Sequence, residues 1–153
     1  MAVAACAGAV TRQAINGLIG VGVQQDWATH MIGHELTAFT GLDHAQTLAI
    51  VLPALLKHQR AVKRAKLLQY ADRVWNLRDG DAEARISAAI DKTEVFFRAV
   101  GVKTRLNDYG IDAAAAASLA DRIAARFTER GTVLGEAQDL TPAAVATIVR
   151  ASA

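Results

Sequence analysis

Helix punctuation, with no strand pattern beside it, constrains the fold of this chain more than any other feature. Thr141-Pro142 pairs an N-cap with proline at the first helical position, a specific start signal. Upstream, apolar residues recur at helical spacing and stop at glycine. Ile86, Ile90 and Phe97 lie in register before Gly101, and Leu119, Ile123 and Phe127 fall four apart before Gly131. Alanine and leucine dominate and aromatics make up only 5% of the chain, so little side-chain freedom is lost in helices. With 153 residues, 52% of them hydrophobic, there is enough apolar surface for one buried core. The expectation is all-α: a bundle of about six to seven helices forming a single domain over residues 1–153.

Further boundaries follow from caps and breakers. Residues 3–18 read as an apolar helix that loosens at Gly17, Gly20 and Gly22. A second helix starts near Asp26 and stops near Gly41. Asp43 caps a third, which Pro53 is expected to kink or end before the pattern resumes to about Trp75, with Leu67, Ala71 and Val74 on one stripe. Asn76–Asp81 and Lys103–Gly110 read as loops. The first 25 residues carry one charge, Arg12, placed after the apolar run, which is the wrong order for a secretory signal. The run Ala2–Val10 is also far short of the ~20 residues a membrane span needs. A start so apolar suggests that something which would cover it is absent. A single cysteine, Cys6, leaves no internal disulfide and fits a reducing cytoplasm.

Chemistry concentrates in Asp26-Trp-Ala-Thr-His30-Met-Ile-Gly-His34 and the following Gly41-Leu-Asp-His44. His30 and His34 are four apart and share a helix face. The Gly-Leu-Asp break would let the chain fold back and aim His44 at the same point. Neutral imidazole binds metals and moves protons near neutral pH, so a convergent trio suits a metal site with a proton relay. Three ordinary core or surface histidines fit the same pattern. Met31 occupies the position where a zinc protease needs glutamate, which excludes that chemistry. Asp26, four residues before His30, reads as a helix N-cap or as a carboxylate ligand, and Asp43 carries the same two readings. His58 receives no role.

Other classes find less support. Lys57 to Lys66 holds five basic residues and no acid, yet no aromatic interleaves it for base stacking, and the formal net charge is only +2. Neither nucleic acid nor membrane is expected as a partner. Gly17-Leu-Ile-Gly20-Val-Gly22 lacks the spacing and the preceding strand of a dinucleotide fingerprint.

The histidine segment, with Gly41-Leu-Asp-His-Ala-Gln-Thr-Leu-Ala-Ile-Val-Leu-Pro53, Ala65-Lys-Leu-Leu-Gln-Tyr-Ala-Asp-Arg-Val-Trp-Asn76 and Gly101-Val-Lys-Thr-Arg-Leu-Asn-Asp-Tyr-Gly110, resembles the iron-containing (group III) alcohol dehydrogenases. The branch it is most similar to is the NADPH-dependent aldehyde reductases and butanol dehydrogenases. The resemblance runs from about Thr11 to the C-terminus. It implies the all-helical C-terminal domain of the dehydroquinate synthase-like fold, in which one aspartate and three histidines hold iron or, in some members, zinc. By motif, His30 and His44 match the last two metal ligands, and His34 matches the non-ligand histidine that relays the substrate's proton.

The resemblance also implies what lies elsewhere. The nucleotide-binding α/β domain and the Asp-x-x-x-His segment with the other two ligands are absent from these residues, and Asp26 and His30 do not replace them. The complete enzyme would reduce small aldehydes to primary alcohols with NADPH or NADH. The isolated chain is expected to be inactive, completed by the missing nucleotide-binding domain or assembled as a homo-oligomer. A non-catalytic helical interaction module derived from such an enzyme is the alternative.

Overall fold

The computed structural model describes residues 25–153, and the expectations for residues 3–18, Arg12 and Cys6 fall outside that range. Six α-helices follow in order: α1 (Ala28–Thr40), α2 (His44–His58), α3 (Arg64–Arg73), α4 (Ala82–Ala99), α5 (Ala113–Glu129) and α6 (Pro142–Arg150). A 3-10 turn at Asn107–Tyr109 interrupts the loop between α4 and α5. The described residues contain no strand, only an isolated antiparallel bridge between Leu134 and Leu140. None of the described helices is long and apolar enough to cross a membrane.

The ends of the helices are made by their own side chains. The Asp81 carboxylate accepts from the N–H groups of Glu83 at 2.9 Å and Ala84 at 3.0 Å, and Asp112 accepts from Ala115 at 2.8 Å. Each satisfies donors that an open helix end would leave without partners. Thr141 and Pro142 start α6 as expected, with the threonine accepting from Ala144. Gly101 and Gly131 follow α4 and α5 with left-handed backbone.

Pro53 does not end the helix, one of the two outcomes expected of it. It lies inside α2, which runs unbroken to His58. Proline removes one backbone donor, but Ile50, Val51, Ala54 and Leu55 around it are all buried and hold the helix together. The break falls instead at residues 59–63, after which α3 ends at Arg73, leaving Val74 exposed rather than on the buried stripe with Leu67 and Ala71.

Two apolar clusters form the interior. The larger joins α1, α2, α5 and α6 around Ile32, Leu36, Ile50, Ile123, Phe127 and Ile148. The smaller joins α3 and α4 through Leu67, Ile86 and Ile90, and Leu56 of α2 packs against both. Phe97, expected on the α4 core stripe, is only half buried, because Thr93 is the last fully packed position of that face.

Candidate metal centre

The hairpin of α1 and α2 builds the site. Gly41 ends α1 with φ of 72°, a left-handed conformation that costs glycine little, and its N–H donates to the Thr37 carbonyl at 2.9 Å. Leu42 and Asp43 complete the reversal. The Asp43 N–H donates to the Gln46 side-chain oxygen at 3.0 Å, the capping-box arrangement that starts α2. His44 is the first residue of α2 and is turned back toward α1.

Close approach of the two helices depends on Gly33. A Cβ there would lie 3.1 Å from Leu48 Cδ2 and 3.2 Å from Thr47 Oγ1. Beside this contact Thr37 and Thr47 share a hydroxyl–hydroxyl hydrogen bond of 3.2 Å, and the Thr47 hydroxyl lies 2.9 Å from the His44 carbonyl oxygen. The His44 ring is thereby held over the face that carries His30 and His34.

All three imidazoles meet. Ring centroids are 5.7 Å apart for His30 and His34, 4.7 Å for His30 and His44 in an edge-on arrangement, and 4.4 Å for His34 and His44, which stack. One nitrogen from each ring lies within 4.8 Å of the others. His34 is exposed while His30 and His44 are half buried. Burial foremost, then the neighbouring His34 and His30, holds the His44 imidazole below its ordinary pKa. Both His44 ring nitrogens are buried without a hydrogen-bond partner. Polar atoms so placed are uncommon and call for a ligand or solvent partner.

Around the trio, Trp27 presents its ring edge-on to His30 at 5.4 Å and is 41% exposed. Both Asp26 oxygens are engaged: one accepts from the Ala28 N–H at 2.8 Å and the other lies 2.7 Å from Lys63 Nζ. Glu35, next to His34, is buried against Arg126 at 2.8 Å and Arg130 at 2.7 Å, tying α1 to α5. Phe39 lies under the guanidinium of Arg122, 4.2 Å from its centroid, and lines an open depression of about 340 Å³ whose walls include none of the three histidines. His58 is exposed at the end of α2.

The spacing of the histidines signals their convergence, but nothing local signals the Glu35 or Asp26 ion pairs, whose partners are remote in sequence. Gly33 did leave a trace, since glycine inside a helix costs about 1 kcal/mol and calls for a packing reason. The basic stretch is largely paired: Lys57 with Asp91 and Glu94, Arg60 and Arg64 with Glu83, and Lys63 with Asp26 and Glu136.

Comparison with known proteins gives a consistent result. Residues 5–152 match the family model described as Fe-containing alcohol dehydrogenase family, C-terminal. The NADPH-dependent aldehyde reductase YqhD of Escherichia coli is 59% identical over 130 residues, covering 84% of this chain and 33% of that protein. The probable NADH-dependent butanol dehydrogenase 1 of Bacillus subtilis is 33% identical over 141 residues, covering 91% of this chain and 35% of its own length. Among solved structures, the substrate- and cofactor-free aldehyde reductase YqhD from E. coli superposes with a TM-score of 0.81 at 55% identity, over 89% of this chain and 35% of that one. NADH-dependent butanol dehydrogenase A from Thermotoga maritima gives 0.80 at 27% identity, over 92% and 36%. The chain therefore spans about a third of the length of these relatives.

Proposed function

Because this chain belongs to the Fe-containing alcohol dehydrogenase family, we propose that it supplies the helical, metal-holding part of an NAD(P)H-dependent aldehyde reductase. The carrying observation is the meeting of His30, His34 and His44, with both ring nitrogens of His44 buried and unpartnered. Such a donor set suits a divalent ion of borderline hardness, iron or zinc. When bound, that ion supplies Lewis acidity toward a carbonyl oxygen, and NADPH or NADH supplies the hydride.

Within this reading His30 and His44 are ligands. The lowered pKa of His44 keeps its ring neutral near pH 7, the form that binds metal. His34 has a different task. Once hydride has reached the carbonyl carbon, the oxygen needs a proton, and His34 donates one and recovers it from solvent, to which it is exposed. The division between ligands and relay follows the family resemblance, since all three rings are close enough to serve either role. The remaining ligands come from an Asp-x-x-x-His segment and the nucleotide site from a nucleotide-binding domain, and both act with these residues on a small aldehyde. Alone, the chain has no dehydrogenase turnover.

Metal content and aldehyde reduction, measured together in an enzyme that contains this domain, test the assignment. His30→Ala and His44→Ala are expected to lose the metal. His34→Ala should keep it and lose turnover by about 10²–10⁴-fold, the usual worth of a positioned proton donor. Loss of metal from His34→Ala equal to that from His30→Ala would overturn the division of roles. NADPH-dependent turnover by the purified 153-residue chain would overturn its dependence on a second domain.

A further inference from the structure

Lys63 joins three segments that are separate in sequence. Its side chain is only 17% exposed, and its ammonium lies 2.7 Å from Asp26 Oδ2 and 3.1 Å from Glu136 Oε1. Its backbone is fixed on both sides: the Lys63 N–H donates to the Gln59 carbonyl and the Lys63 carbonyl accepts from Leu67, each at 2.8 Å. Glu136 belongs to the loop closed by the Leu134–Leu140 bridge. Asp26 uses its second oxygen to accept from the N–H of Ala28, the first residue of α1.

This carboxylate thus holds a free donor at the start of α1 and, through Lys63, fastens it to the turn between α2 and α3. Trp27 lies between the two contacts and meets His30 edge-on. We propose that Lys63 is a positioning residue which, acting through Asp26, fixes the first turn of α1 and with it the direction in which His30 faces His44. The inference rests on the reading of His30 and His44 as ligands. Without the bridge, the first turn is free to fray, and His30 must be ordered when an ion arrives. If ion binding must make good the loss of such a helix-end contact, affinity falls about fivefold.

The test is titration of the metal-free chain with Zn²⁺, joined to proton NMR of the His30 ring, whose resonances the indole 5.4 Å away is expected to displace. In Lys63→Met and Asp26→Asn the Zn²⁺ dissociation constant should rise about fivefold, with the His30 resonances moving toward unstructured values and helicity unchanged. Lys63→Arg, which can still bridge two carboxylates, should restore most of both. Should Lys63→Met lose helicity, Glu136→Gln loosens only the outer half of the bridge and should show the same changes at smaller size. Unchanged Zn²⁺ affinity and unchanged His30 resonances in folded Lys63→Met would overturn the proposal. Tighter binding in that variant would overturn it as well, by making the freed Asp26 a ligand. If His30→Ala titrates like the parent chain, the ligand reading falls, and the His30 resonances in Lys63→Met still decide the positioning.

Discussion

Gly33 lies between the two histidines of α1 and faces α2, so it sets how near His44 comes to them. Valine there would drive a branched side chain into Leu48 and Thr47, and overpacking of this kind costs about 1–3 kcal/mol. Gly33→Val is expected to lower the urea midpoint accordingly and to separate the His34 and His44 rings, read as loss of their mutual NMR contacts. Glu35 offers a second check. Its buried carboxylate meets two arginines and accepts a hydrogen bond from Arg130, and a hydrogen bond to a charged group contributes about 1.5–3 kcal/mol. Partial exposure of both arginines reduces that, so Glu35→Gln should cost about 1–2 kcal/mol in chemical denaturation. At this scale the histidine trio was legible in the sequence, because an i, i+4 pair followed by Gly41-Leu-Asp constrains geometry locally. Lys63 facing Asp26 was not, since ion pairing across the fold leaves no periodic trace.

Helix ends behave as their chemistry dictates. Asp81 accepts from two N–H groups at the start of α4, and loss of such a cap costs about 1 kcal/mol. Asp81→Ala should therefore lower thermal stability while Asp81→Asn largely restores it, as calorimetry would record. Thr141-Pro142, Gly101 and Gly131 announced helix limits because each carries a specific backbone constraint. Pro53 announced a kink or an end, and the end does not occur, since buried neighbours on both sides outweigh one lost hydrogen bond. The real break at Gln59 has no glycine or proline to mark it. Gln59 is buried and donates to Asp139 at 3.2 Å, a tertiary contact invisible to local pattern.

Across the whole molecule, stability is unevenly spread. The cluster that joins α1, α2, α5 and α6 is large, whereas α3 and α4 meet through Leu67, Ile86 and Ile90. Hydrogen exchange should open α3 and the first half of α4 before α1, α2 and α5. Glu94, with its side chain 12% exposed, links that outer pair to the rest through Lys57 at 2.7 Å and Arg105 at 3.1 Å. Burial is the largest influence on its carboxyl and acts upward, but the Lys57 hydrogen bond and the charges of Arg105 and Lys57 together outweigh it and hold the pKa low. A carboxyl depressed by folding contributes stability fully present above its ordinary value, about 4.3, and lost as pH falls through the folded one. Glu94→Gln should thus melt earlier than the parent chain at pH 7, and the gap should close as the pH drops below about 4.

Calorimetric titration of the purified, metal-free chain with Zn²⁺ and, anaerobically, Fe²⁺ decides whether His30 and His44 gather a metal ion. Saturable one-to-one binding, weaker than a complete four-ligand site would show, and its loss in both His30→Ala and His44→Ala, is the predicted result. Weak binding that neither substitution changes would contradict it.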